Sequence, residues 1–146
     1  MNMVMNNDGS GNILRTDSLL PPHLWESDFK ETLAKALHKK SEEIKTHNDI
    51  GFFDVIITNP PFGGTEEDGI ESFFPRKYQT SETADLFMAL IMHLLKHDTG
   101  RAAFFLPDGF LFGEGVKTTL KHELLEEFNL HTIVRLPKGV FAPYTS

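Results

Sequence analysis

The sequence predicts an α/β protein: a parallel sheet whose strands are joined by crossover helices. Three observations carry that prediction. Short apolar runs alternate with stretches of helical period, in the order strand, helix, strand, helix, strand. Val55, Ile56 and Ile57 are consecutive and β-branched, the composition of a strand buried on both faces of such a sheet. Three polar or rigid peptides follow the apolar runs: "TDS" at 16–18, "NPPF" at 59–62 and "LPDG" at 106–109. Ligands of open parallel sheets bind at the carboxyl ends of the strands, so three marked turns on one edge outline a site.

Each element has its own justification. Ile13 and Leu14 form a short apolar run that ends at Asp17, and Pro21 and Pro22 open the next element. From His23 to about His47, Phe29, Leu33 and Leu37 recur at helical spacing among charged residues, which predicts a surface helix or a helix pair. "FDVIITNPP" is the buried strand. Residues 62–82 hold Gly, Pro and charge without a sustained period and read as a long loop, a kind that is uncommon unless functional or mobile. Ser81 or Thr83 can cap a helix carrying Leu86, Leu90 and Leu94 at i, i+4 and i+8, with Gly100 placed to end it. "RAAFFLP" is a strand stopped by Pro107. Val116, Leu120 and Leu124 mark an amphipathic helix, and "LHTIVRLP" is a further strand stopped by Pro137. The tail has no period, and the chain holds no internal repeat.

Composition narrows the class. The chain has 146 residues, 40% hydrophobic, enough for one domain with a core. No apolar run approaches the roughly 20 residues that span a bilayer, and the N-terminus lacks the pattern of a secretory signal. Cysteine is absent, which suits a cytoplasmic protein and removes thiolate chemistry. The net charge of −7 leaves no basic stripe of the kind that displaces counterions from a phosphate backbone. A function on nucleic acid then needs much of its grip from elsewhere.

The peptide Asn59-Pro60-Pro61-Phe62 carries the most chemistry. Pro60 fixes its own φ and pushes Asn59 out of helical space, and Pro61 does the same to Pro60. Such a stiff extended turn can aim the Asn59 side-chain oxygen and the Pro60 carbonyl at one spot. Two acceptors together suit an exocyclic NH2, and Phe62 offers a flat face for a ring. The competing reading is a Pro-Pro turn that merely ends a strand. His93 and His97 stand at i, i+4, but no Glu lies between them and no third ligand is evident, so they read as helix surface and no metal is expected. Asp108 reads as turn chemistry.

At this point the sequence resembles a known group. "FDVIITNPPFGG" is similar to motif IV of the amino-group DNA methyltransferases, (D/N/S)-P-P-(Y/F/W). "ADLFMALIMHLLKHDTGRAAFFLPDGFLFGEG" resembles the motif V to VI region of the adenine-N6 branch. "IVRLPKGVFAPYTS" resembles motif VIII, and "NMVMNNDGSGNILRTDSL" the approach to motif III, of the modification (M) subunits of type I restriction-modification systems. The resemblance implies a Rossmann-like class I methyltransferase sheet with crossover helices. Residues 1–146 would be part of the catalytic domain, from motif III to motif VIII, with a charged helical insertion at 23–50. It implies S-adenosylmethionine as cofactor and DNA as substrate. A specificity (S) subunit, a restriction (R) subunit and a second M subunit would be partners.

It also implies roles. Asn59 and the Pro60 carbonyl would accept hydrogen bonds from the amino group of an adenine flipped out of the duplex. Phe62 would stack on one face of that base and Phe141, in "GVFAPYTS", on the other. Asp17 matches the motif III acid that binds the amino group of the cofactor's adenine, and Phe87 lines the cofactor pocket. Each has an ordinary competitor. Asp17 also fits a helix cap or turn, Phe141 fits a core position, and Phe87 lies on an apolar helix face that packing explains.

The sequence departs from the family in one place. No strand precedes the glycines of "DGSGN", so the glycine loop of motif I, which lets backbone approach the cofactor, is missing. The expectation is a middle portion of a catalytic domain, inactive alone, poor at holding cofactor, and left with an uncovered apolar face. Two rival readings stand beside adenine-N6 methylation of DNA. An amino-methyltransferase could act on RNA or on protein glutamine, and a non-catalytic remnant could serve assembly only.

Overall fold

Val55–Thr58 (β1) and Arg101–Phe104 (β2) lie side by side as a parallel pair, with Val55 opposite Arg101 and Thr58 opposite Phe104. The structure, a computed structural model, describes residues 15–141. The run expected to form a strand at Ile13 and Leu14 lies outside them. Within the described residues the chain divides into two compact units, one ending at Gly51 and the other beginning at Phe52. Together the parallel pair and the helices make an α/β fold, the Rossmann-like arrangement the sequence predicts, in part.

The first unit shows why a charged segment folds at all. Its helical period breaks into Ser27–Ala36 (α1) and His47–Ile50 (α2), with 3-10 turns at Pro22–Leu24 and Ser41–Glu43. His38 interrupts the period with a φ of 54°, a left-handed conformation that no helix continues. The break folds the segment back on itself, so that Ala34, Ile44 and Ile50 are buried together with Trp25, Leu33 and Leu37 against them. At the start of α2 the Asp49 carboxylate accepts hydrogen bonds from the Thr46 backbone N–H (2.7 Å) and hydroxyl (3.0 Å). These bonds hold Asp49 below the usual carboxylate range.

In the second unit a helix at Thr83–Leu94 (α3) crosses from β1 to β2, followed by Asp108–Phe112 (α4) and Val116–Glu127 (α5). From Thr83 to Met92, α3 is buried at every position except Phe87, as its nearly continuous apolar sequence requires. Met88, Ala89, Met92, Phe110 and Leu120 form the core, with Phe104, Leu124 and Phe128 packed around them. The Lys121 ammonium donates to the Leu111 and Gly113 carbonyls (3.0 and 2.8 Å), which closes the end of α4 onto α5. Past α3 the chain turns so tightly that a side chain at Gly100 would collide with the Lys96 carbonyl and the Leu95 side chain. The Gly100 N–H donates to that same carbonyl (3.0 Å), so this glycine is required by close approach.

Three expectations are corrected. The strand at Val55–Thr58 is not buried on both faces: Val55 is 60% and Ile57 80% exposed. With two strands and one crossover helix among the described residues, these residues leave that face of the sheet uncovered. "LHTIVRLP" forms no strand, and Ile133 and Val134 stay exposed, because β-branched residues need a neighbouring strand to pair with. The 62–82 loop is more ordered than its composition suggests. Its ends are joined by a bridge between Thr65 and Glu82, and 3-10 turns at Ile70–Phe73 and Arg76–Tyr78 bring Phe74 and Tyr78 onto the core. Glu123 of α5 accepts hydrogen bonds from Lys77 (2.6 Å) and from the Tyr78 hydroxyl.

Candidate functional site

Asn59 follows the last residue of β1 and therefore sits at the carboxyl edge of the parallel pair, where the sequence places a ligand. Its side chain is exposed and, among the described residues, makes no hydrogen bond; none reaches the Pro60 carbonyl either. Pro60 itself is buried and Pro61 exposed, so the turn is anchored on one ring while its two acceptors carry no hydrogen bond. A free amide oxygen and a free carbonyl on a rigid turn can receive the two N–H bonds of an amino group. Gly64 then leaves the turn with a φ of +111°, and its carbonyl accepts a bond from the Thr83 hydroxyl (3.3 Å) at the start of α3.

Phe62 is half-buried, and the ring of Phe141 lies against it with centroids 4.8 Å apart and planes tilted by 58°. The fold thus brings together two aromatics that the sequence separates widely. At this distance the rings touch each other. A base between them needs ring planes about 7 Å apart, two layers of van der Waals contact. Phe105, which directly follows the last residue of β2, was not singled out by the sequence. It meets Phe141 at 5.4 Å (82°) and Phe62 at 6.5 Å (88°), edge to face with both. The signal available was register: with Thr58 opposite Phe104, the residues Asn59 and Phe105 come next on neighbouring strands.

Phe62 also walls an open cleft of about 410 Å³, lined further by Gly64, Thr83, Pro107, Phe110 and Lys117. Of these lining residues, Lys117 pairs through its ammonium with Asp85, whose side chain is 2% exposed, at 2.8 Å, and also reaches Glu82. Burial holds the Asp85 carboxyl above its usual range, and Lys117 offsets part of that shift. For Lys117 burial works downward, but the two carboxylates outweigh it and keep the ammonium above its ordinary value. The second oxygen of Asp85 has no partner among the described residues.

The other two expected site residues are described where they stand. Asp17 lies in the first unit; one carboxylate oxygen accepts the Leu19 backbone N–H (2.9 Å), and its backbone carbonyl accepts the Trp25 indole N–H (3.0 Å). It is exposed, and an exposed carboxylate with an oxygen outside its local turn can accept an amino N–H. Phe87, in the second unit, is the partly exposed member of the buried run of α3. No group of three or more His, Asp or Glu side chains among the described residues converges as metal ligands would. No described helix is long and apolar enough to cross a membrane.

Known proteins share this sequence and fold. The N-6 DNA methylase family model matches residues 1–146. The type I restriction enzyme EcoEI methylase subunit of Escherichia coli is 62% identical over 114 residues, covering 78% of this chain and 21% of that subunit. The EcoKI methylase subunit of Escherichia coli strain K12 is 40% identical over 87 residues, 60% of this chain and 16% of that one. A crystal structure of a modification subunit assigned to a type I restriction enzyme of Vibrio vulnificus YJ016 superposes with a TM-score of 0.70 at 43% identity. That match covers 98% of this chain and 26% of that chain. The chain therefore spans about a fifth of the length of the curated relatives it matches.

Proposed function

The chain belongs to the N-6 DNA methylase family, and on that premise we propose that it carries the target-base side of methyl transfer to adenine N6 in DNA. The observation that carries this reading is the meeting of Phe62 and Phe141 beside the free acceptors of Asn59 and Pro60. An adenine taken out of the duplex would offer its two amino hydrogens to those acceptors. Holding both hydrogens in the plane of the turn leaves the nitrogen lone pair directed away from it, toward the methyl donor. Phe62 and Phe141 would fix the base by stacking on its two faces once their own contact opens. Catalysis here is orientation together with stabilisation of the positive charge that develops on nitrogen; the polar acceptors meet that charge as it forms, and loss of one N–H proton to solvent leaves the neutral methylamino group.

Membership of a methylase family implies S-adenosylmethionine as the donor, which would supply an electrophilic methyl group. Asp17 suits it as an acceptor for the adenine amino group, and Phe87 as an apolar ring wall. The names of the relatives, subunits of type I restriction enzymes, support assembly with other restriction-modification subunits. A specificity subunit, a restriction subunit and a second M subunit are the partners of this reading. A DNA-reading partner also accounts for an acidic chain in a DNA enzyme.

Asn59→Ala tests the reading in a complete methylase subunit assembled with a specificity subunit. Methyl transfer falls to background while DNA affinity stays within a few-fold of the parent. Transfer close to the parent rate removes Asn59 from the site. Methylation of RNA or of a glutamine peptide in place of DNA, or a complete subunit that takes up no S-adenosylmethionine, would favour the rival readings.

A further inference from the structure

We propose that Phe105 is a positioning residue for base capture: it holds the Phe141 ring on Phe62 while the target site is empty. The inference rests on the reading of Phe62 and Phe141 as the stacking pair. Its geometry is independent of that reading. Phe104 packs toward the helical core, and the next residue, Phe105, contacts both Phe62 and Phe141 with its ring nearly perpendicular to each. Three rings in mutual contact fill the place that the two faces of a base would occupy. The Phe105–Phe141 pair, at 5.4 Å, is closer than Phe105–Phe62 at 6.5 Å, so the contact bears mainly on Phe141.

Base entry exchanges ring–ring packing for base–ring packing. A site that is closed for part of the time binds with an affinity reduced by the open fraction. Phe105 sets that fraction. It also discriminates, since a base opens the trio only if stacking on both of its faces outweighs the ring–ring attraction it breaks. Phe105 is 42% exposed, so shortening it does not hollow the core.

The test uses the complete methylase subunit with its specificity subunit and a duplex carrying 2-aminopurine at the methylated adenine. Phe105→Ala raises the fluorescence of the extrahelical base. It also lowers the KM for unmodified DNA by about 2- to 10-fold, the size of one aromatic pair contact. The rise in kcat/KM is carried by KM, and Phe105→Leu falls between. An unchanged signal and KM, a higher KM, or a fall in kcat alone overturns the proposal. The fluorescence does not depend on methyl transfer. If Asn59→Ala abolishes transfer while Phe105→Ala leaves the signal unchanged, this inference alone is lost. If Asn59→Ala retains transfer, the acceptor assignment fails whatever Phe105 does.

Discussion

The ring of Phe141 rests on the ring of Phe62, with centroids 4.8 Å apart and planes inclined by 58°. Neither position is surrounded by core, since both rings are only half-buried. The contact joins the turn after β1 to the far end of the described chain. In the complete subunit, Phe62→Ala and Phe141→Ala each lower kcat/KM by about 5- to 150-fold, the worth of one stacked base face. Tyrosine at either position keeps most of the activity. Steady-state methylation assays on the single variants check this; an alanine variant with parent kinetics removes that ring from the base site.

Asn59→Asp separates the acceptor from the amide. Aspartate keeps an oxygen on the same rigid turn and loses the NH2, which the proposed geometry does not use. The variant retains at least about tenfold more activity than Asn59→Ala, a difference of about 1.4 kcal/mol or more in transition-state stabilisation. Equal loss in both shows that the NH2 is needed.

Lys117→Met leaves Asp85 buried without its ammonium. Removing one partner of such a pair costs about 3–5 kcal/mol near neutral pH. Without Lys117 the folded carboxyl moves further above its ordinary value of 3.8, so the folded state binds more protons than the unfolded state above that pH. Stability of the variant therefore falls as pH rises from about 4, and the deficit against the parent nearly vanishes below it. Thermal unfolding of the complete subunit between pH 3.5 and 7.5 reads this out; a deficit independent of pH contradicts it.

Val55 and Ile57 expose an apolar face of β1, and Phe53, just before the strand, is also exposed. Contiguous exposed apolar surface promotes self-association. Ile57→Lys in the 146-residue chain lowers light scattering at a given concentration without changing the far-ultraviolet circular dichroism. Unchanged scattering would mean that another surface drives association.

Much of this fold was legible because its signals are local. The β-branched run at 55–57 marked β1, and Leu86 and Leu90 at helical spacing marked α3, where both are buried. The exposure of Ile57 and the unpaired "HTIV" were not legible, because strand formation and burial depend on neighbours that sequence period does not encode. At the site, the rigid Asn-Pro-Pro-Phe turn spoke for itself through the chemistry of proline. Phe105 was silent: an aromatic at the end of a strand has the composition of core, and only the pairing of β1 with β2 reveals which face it takes. The pairing of Asp85 with Lys117 was equally hidden, since it joins two helices far apart in the chain.

The tight turn at Gly100 has a bearing that reaches beyond its own geometry. Parallel pairing alternates side chains strictly, so a slip of one residue exchanges the two faces of a strand. The connection from Lys96 to Gly100 fixes where β2 begins to count. One residue more or fewer there would bring Phe104 or Leu106 to the position beside Asn59 and turn Phe105 toward the helices. A stretch that touches neither ring nor base thus works as a ruler, and its length is as much a part of the site as the aromatics it sets in place.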